Sequence, residues 1–308
     1  MPVGREDVLA AAALIRGRVH RTPTVTSATL GPGVRLKAEL LQKTGSFKVR
    51  GVLNKLAALS PAQKERGVIG ISAGNHAQAL AWGAAAEGVD CLVVMWRSAS
   101  AAKLAATRGY GASVDLESED PAGAFDRLAE LIADTGRTLV HPFDDPLVLA
   151  GAGTVGLELL EDAPEVDTVL VPGGGGGLVA GIAAALPDRQ VVCVEPEESR
   201  AVAAGLEAGH SVPVVPRSIA DGLSAPFAGE TALAVLRARG VRSVLVSEAE
   251  IGAAFRFLYE RAKLACEPAG AVGLAALLSG KIEAGRVGVV VSGGNVAAET
   301  ASAILTAQ

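Results

Sequence analysis

Eight short runs rich in β-branched and aliphatic residues punctuate this chain, and alanine-rich stretches with helical patterning separate most of them. The runs are Val68–Ile71, Cys91–Met95, Ser113–Leu116, Thr138–Val140, Thr168–Val171, Val191–Val194, Val244–Val246 and Val287–Val291. Helical patterns fall at Ala77–Glu87, Ala122–Ala133, Val148–Glu161, Leu178–Leu186 and Ile251–Ala265. Strand–helix alternation of this kind closes as a mostly parallel sheet with helices on both faces. Continuous apolar runs, rather than alternating ones, fit strands covered on both sides. The expected class is α/β, and at 308 residues two lobes are expected, because one core usually stops growing near this length. Turn-rich sequence at Gly67 and at His141-Pro142-Phe143-Asp144-Asp145-Pro146 sets the boundaries. Residues 67–144 then form a small lobe inserted between the halves 1–66 and 145–308 of a larger one, with a cleft between them.

Bulk properties narrow the partners. Net charge is −5 and no Lys/Arg block stands out, which argues against nucleic acid or an anionic membrane. The N-terminus carries charge before any apolar core, so no signal peptide is read there. Two windows, Val68 to Ala86 and Thr168 to Pro187, contain no Asp, Glu, Lys or Arg. Both are interrupted by loop-forming residues, the second by five consecutive glycines, and irregular backbone is not tolerated facing lipid. A soluble cytoplasmic protein is expected. Cys91, Cys193 and Cys266 have no paired spacing and read as buried thiols rather than disulfides or metal ligands.

Ligands in parallel α/β folds bind beyond the carboxyl ends of strands. Three strand ends turn polar there. Val68–Ile71 runs into Ser72-Ala73-Gly74-Asn75-His76, which satisfies both a plain helix cap at Asn75 and an anion cradle. Val169–Pro172 runs into Gly173 to Gly177 and then a helix, and five glycines carry a large folding entropy that close approach to a phosphate offsets. Val289–Val291 runs into Ser292-Gly293-Gly294-Asn295, where Ser292 alone reads as a turn cap. A fourth segment, Thr44-Gly45-Ser46-Phe47-Lys48-Val49-Arg50-Gly51, sets a lysine at the start of a helix marked by Val49, Val52, Leu53 and Leu56. Ser46 is its expected N-cap. A lysine desolvated beside an aromatic at such a place is a Schiff-base nucleophile in waiting.

A rival reading uses the same glycines. Gly175, Gly177 and Ala180 satisfy G-x-G-x-x-A, and Glu195 ends the next strand where a dinucleotide fold sets its ribose-binding acid. A nicotinamide-dependent oxidoreductase follows from that pattern, but it leaves Lys48 and Asn75 without roles.

Taken together and in order, these segments resemble the fold-type II pyridoxal-phosphate enzymes, the tryptophan-synthase-β-like group, and within it the threonine/serine dehydratases. The matching text also includes Arg21-Thr22-Pro23, Lys37, Glu39, Gln42, Ala106 to Ala112, Ala220-Asp221-Gly222 and Glu267-Pro268-Ala269-Gly270-Ala271. The resemblance implies two lobes with mostly parallel sheets and pyridoxal 5′-phosphate in the cleft. It implies Lys48 as the residue joined to the cofactor aldehyde, with Phe47 packing beside it. Gly174, Gly175, Gly176 and Gly177 would hold the phosphate, Asn75 the ring hydroxyl, and Ser292 would face the pyridine nitrogen. Ser72, Ala73, Gly74 and His76 would grip the carboxylate of an amino-acid substrate, with His76 equally readable as a satisfied core histidine or one that supports the loop from behind. The activity implied is β-elimination from L-threonine or L-serine, giving a 2-oxo acid and ammonia, in a homodimer.

Some positions depart from the family pattern. Racemases of the group carry a second serine after Ser72, where this chain has Ala73. Cation-binding relatives pair a glutamate with a downstream aspartate, which Pro196 to Ala201 lacks after Glu195, so no metal is expected. Met95-Trp96-Arg97-Ser98-Ala99-Ser100 lacks the usual prolines, which leaves a specialised β-substituted amino acid as an alternative substrate. The sequence given ends at Gln308, so no appended effector domain is expected.

Overall fold

The computed structural model describes residues 2–307. Its strands are β1 (Thr24–Val25), β2 (Val34–Ala38), β3 (Val68–Ile71), β4 (Cys91–Trp96), β5 (Ser113–Ser118), β6 (Thr138–Leu139), β7 (Thr168–Pro172), β8 (Gln190–Pro196), β9 (Arg242–Val246) and β10 (Val287–Val291). They form two sheets. One has the order β1-β2-β10-β7-β8-β9, with only β1 antiparallel to its neighbour; the other has the order β5-β4-β3-β6, parallel throughout. The α/β class read from the sequence is therefore the observed one.

Both uncharged windows resolve into a strand, a polar turn and a buried helix: β3 with Asn75–Ala86, and β7 with Gly177–Ala185. Among the described residues no helix is long and apolar enough to cross a membrane. All three cysteines are free and buried.

β1 and β2 escape a reading based on apolar runs. β1 has two residues, and β2 carries Arg35 and Lys37. Lys37 is nonetheless wholly buried, because its ammonium donates to the Thr22 carbonyl and to Glu158, both at 2.7 Å. A buried charge is tolerated when it is paired and hydrogen-bonded in this way. The helical pattern at Ile251–Ala265 is also modified, into a helix Glu248–Phe257 followed by a π-turn over Leu258–Ala262.

Parallel registry gathers the polar strand ends. β10 and β7 are neighbours, with Val287 opposite Thr168, so Ser292 and the glycine loop emerge at the same sheet edge. Three helices behind that edge pack backbone to backbone: Lys48–Ala57, Pro146–Asp162 and Gly177–Ala185. A Cβ on Gly151 would stand 2.5 Å from the Arg50 carbonyl oxygen, and one on Gly181 would overlap that of Leu149. Glycine at these crossings lets the lysine-bearing helix and the helix after the glycine loop share one neighbour closely.

Candidate active site

Lys48 is the first residue of its helix. The expected cap at Ser46 is not made. Phe47 occupies the cap position, and Ser46, in extended conformation, forms a bridge with Gly293 with its hydroxyl buried and unpartnered. The Phe47 amide instead donates to the Ser292 carbonyl at 3.2 Å, tying the helix start to the end of β10. Lys48 Nζ lies 5.2 Å from the centre of the Phe47 ring and donates to the Pro142 carbonyl at 2.7 Å. The amine faces a cavity but sits deep in the protein. Desolvation draws it down to about 8, with the Glu267 carboxylate opposing the shift.

Pro142 is held by its own turn. His141 Nδ1 accepts from the amides of Phe143 and Asp144 at 3.3 and 2.8 Å, so the neutral ring carries its proton on Nε2. Burial pushes His141 down to about 4, which keeps that acceptor available.

The glycine loop closes the other side of the cavity. Gly176 is left-handed, with φ of 88°, and caps the Gly177–Ala185 helix without any side-chain bond. The amides of Gly175, Gly176 and Gly177 donate to no protein acceptor among the described residues. Unbonded amides at a helix start form an anion cradle. Packing accounts for part of the glycine requirement: a Cβ on Gly175 would overlap the Phe143 ring, and one on Gly173 the Cys193 sulfur.

At the end of β3, Gly74 and not Asn75 is the helix cap. The Asn75 side chain is committed elsewhere, donating to Glu267 Oε1 at 2.7 Å and accepting from Asn295 Nδ2 at 2.8 Å. Ser72 Oγ accepts from the Gly74 amide at 3.1 Å. His76 Nε2 lies 2.8 Å from the Val140 carbonyl and therefore carries the proton, while Nδ1 is buried without a partner. Burial, with Lys48 adding to it, pushes His76 down to about 3, so the ring is neutral and neither nitrogen opens to the cavity.

Lys48, Phe47, Asn75, the four glycines from Gly174 to Gly177 and Ser292 line one cavity. Ser72, Ala73, Gly74 and His76 line a second of about 690 Å³, which shares Lys48, Asn75 and Gly175 with the first. The residues singled out in the sequence thus converge on one place. Pro142, Phe143 and Glu267 border both cavities, and the sequence alone assigns them no role. Glu267 carries a signal all the same: an acid directly before Pro268, at the head of a wholly uncharged buried helix, Pro268–Leu278. Across the mouth, Lys103 of the Ala101–Gly109 helix pairs with Asp221, and Trp96 lines the same opening.

The dinucleotide alternative is overturned by Glu195. Its carboxylate accepts from the amides of Val202 and Ala203 at 2.8 and 2.9 Å and from Ser243 Oγ at 2.6 Å, and the residue has no exposure. Capping the Ala201–Ala208 helix, it presents nothing to a ribose.

A strand-end site with a desolvated lysine facing an anion cradle defines a cofactor-dependent enzyme of the carbonyl-chemistry type. Residues 15–293 match the family model described as pyridoxal-phosphate dependent enzyme, and the chain belongs to that family. An L-threonine ammonia-lyase of Thermotoga maritima is 40% identical over 301 residues, covering 94% of this chain and 75% of that protein. The crystal structure of a T.th. threonine deaminase superposes with a TM-score of 0.88 at 41% identity, covering 96% of this chain and 99% of the other. A maize serine racemase superposes at 0.92 with 35% identity, covering 97% and 96%.

The residues present fit pyridoxal phosphate. An amine, an unbonded amide cradle for a phosphate, and polar side chains at Asn75 and Ser292 lie around one cavity.

Proposed function

We propose that this chain catalyses β-elimination from a β-hydroxy amino acid, L-threonine or L-serine, releasing a 2-oxo acid and ammonia. The observation that carries this reading is the Lys48 amine, drawn down to about 8 and 2.7 Å from the Pro142 carbonyl, in one cavity with the glycine loop and Ser292. Likeness to proteins named threonine ammonia-lyase and threonine deaminase supports it. When bound, pyridoxal phosphate supplies an aldehyde for the substrate's amino group and a ring that draws electron density from Cα.

The chain's own groups do the rest. Gly174 to Gly177 would offer backbone N–H groups to the phosphate, Asn75 would bond the ring hydroxyl, and Ser292 would face the ring nitrogen, since all line one cavity with Lys48. A serine hydroxyl, unlike a carboxylate, does not enforce protonation of that nitrogen. Weaker electron withdrawal suits a reaction in which a leaving group on Cβ relieves the charge at Cα. Lys48 Nζ takes the Cα proton as general base. An amine near 8 is neutral in a useful fraction of molecules at neutral pH, and the Pro142 carbonyl orients it. Ser72, Ala73 and Gly74 surround the substrate carboxylate, with His76 as a neutral brace beneath them.

Racemisation is the second reading, favoured by likeness to the maize serine racemase. It needs a proton donor on the cavity wall next to Ser72, and Ala73 has no proton to give. The proposal extends to a division of the chain at 67 and 144, which the two separate sheets support, and to a homodimer in the cytoplasm by likeness to the family.

The test is to incubate the protein and pyridoxal phosphate with L-threonine and L-serine, then measure 2-oxo acid, ammonia and the enantiomers remaining. A 2-oxo acid and ammonia in equal amounts, abolished in Lys48→Ala, is the expected result. Enantiomer interconversion without 2-oxo acid would establish the racemase reading instead.

A further inference from the structure

Asn75 and Glu267 are 192 positions apart in sequence, and Asn75 and Asn295 are 220 apart, yet the three side chains form one line. Asn295 Nδ2 donates both to the Thr44 carbonyl at 2.7 Å and to Asn75 Oδ1 at 2.8 Å. Asn75 Nδ2 then donates to Glu267 Oε1 at 2.7 Å. The direction of this line is fixed by its end. A backbone carbonyl can only accept, so the amide nitrogen of Asn295 must face Thr44. The same nitrogen supplies the donor to Asn75, which turns the Asn75 oxygen toward Asn295 and its nitrogen toward Glu267. One N–H of Asn75 is used, and the second is left for a ligand in the cavity that Asn75 lines with Lys48.

Two independent features of the backbone serve this line. Gly45, with φ of +74°, would set a Cβ 2.5 Å from Asn295 Oδ1, and a Cβ on Gly293 would overlap Glu267 Oε1. Any side chain at either position would displace a member of the line. Thr44, a β-branched residue, is held at φ of 61°, a left-handed conformation that such residues rarely adopt. Strain of this kind persists where the surroundings over-determine it, and it clusters at functional sites. Here it presents the Thr44 carbonyl to Asn295.

We infer that Glu267 and Asn295 are positioning residues that act through Asn75, locking its amide so that a single N–H is offered to the ring hydroxyl of pyridoxal phosphate. The inference rests on the cofactor reading given above. Glu267 is buried, and burial pushes its carboxyl up to about 7. The carboxylate and the acid both keep an oxygen that accepts from Asn75, so the lock is retained in either state. A fixed donor loses no rotamer freedom on binding, and one hydrogen bond made or lost at the ring hydroxyl corresponds to roughly tenfold in affinity.

A double-mutant cycle read on pyridoxal phosphate binding tests this, with the dissociation constant and the visible absorbance of the bound cofactor as readouts. Asn295→Ala and Glu267→Ala should each weaken binding roughly tenfold and shift the absorbance band. Glu267→Gln, which keeps an accepting oxygen, should restore both to within about twofold of wild type. In an Asn75→Ala background, adding either alanine should change the dissociation constant by less than about twofold. Effects that multiply in that background would overturn the inference, since the residues would then act independently of Asn75. If Glu267→Ala does not fold, the Asn295→Ala and Asn75→Ala pair decides the matter by the same criterion. A wild-type protein that takes up no pyridoxal phosphate would overturn the cofactor reading and this inference together, whereas wild-type uptake with unaltered variants overturns the inference alone.

Discussion

Arg50 grips Glu39 through two parallel hydrogen bonds, Nε to Oε2 and Nη2 to Oε1, each 2.8 Å long, and neither side chain has any exposure to solvent. The guanidinium also reaches Glu158 at 2.7 and 2.8 Å, and Glu158 in turn holds Lys37. This network lies two residues beyond Lys48, on the same helix. Removing its central cation strands Glu39 in the interior, which the ion pair now prevents. Arg50→Ala should therefore lower stability by about 3–5 kcal/mol, as other broken buried pairs do. Urea unfolding of the cofactor-free protein measures it. A loss below about 1 kcal/mol would mean that water enters and solvates the carboxylates.

The pH dependence of turnover follows from Lys48. Its amine is drawn down to about 8 by burial, and only the neutral form removes a proton. On the acid side of that value kcat should fall about tenfold per pH unit. His76 and His141, pushed down to about 3 and about 4, stay neutral across this range and add no limb near pH 6. Glu267, raised to about 7, titrates nearby, so the limb is best followed in Glu267→Gln. There it should persist, moved to lower pH by the loss of the opposing negative charge. The stability of the cofactor-free protein carries the same signature. Unfolded lysine keeps its proton up to its ordinary value of 10.5, whereas the folded protein releases it near 8. Stability should rise with pH between those values, and Lys48→Met should flatten the rise.

Much of this site is written locally in the chain. Ser72 to His76, Gly173 to Gly177 and Ser292 each follow an apolar run, and a strand that ends in glycine and hydroxyl residues announces itself. Lys48 is legible from its helix. The two caps are not, for a common reason: Ser46 and Asn75 are good caps in isolation, but long-range packing claims the first as a bridge to Gly293 and the second as a link to Glu267. Pro142, Glu267 and Asn295 acquire their roles only when segments far apart in the chain meet. β2 stays hidden because Lys37 breaks its apolar pattern, and the compensating Glu158 lies 121 positions away.

Lys103 and Asp221 meet across the mouth of the large cavity, one on the Ala101–Gly109 helix and the other in the short turn Asp221–Leu223. Both are partly exposed, at 23% and 57% of their side-chain surface, so the pair contributes at most about 1 kcal/mol. Its place matters more than its strength. Lys103→Ala should raise KM for the amino acid up to about fivefold with little change in kcat, because it loosens the entrance without touching Lys48. The exchanged pair, Lys103→Asp with Asp221→Lys, should recover most of the loss. Steady-state kinetics at two salt concentrations checks this, since added salt should weaken the wild type and leave Lys103→Ala unmoved.

Elimination and racemisation begin with the same proton removed from Cα and part company over whether one is returned from the opposite side. Ala73 lines the large cavity with Lys48, and a methyl group cannot return a proton. Ser72, its neighbour, has its oxygen engaged by the Gly74 amide at 3.1 Å. Ala73→Ser would add one hydroxyl to this wall for a small change in volume. The variant should interconvert the enantiomers of serine at a rate that the wild type does not reach, while the yield of 2-oxo acid per turnover falls. Chiral chromatography with mass spectrometry of serine recovered from deuterated water reads inversion and exchange, because a proton returned from solvent leaves a deuteron at Cα, and a 2-oxo acid assay reads the elimination. Deuterium at Cα without inversion in the variant would show that Lys48 alone returns the proton, and that the residue at 73 does not decide the outcome.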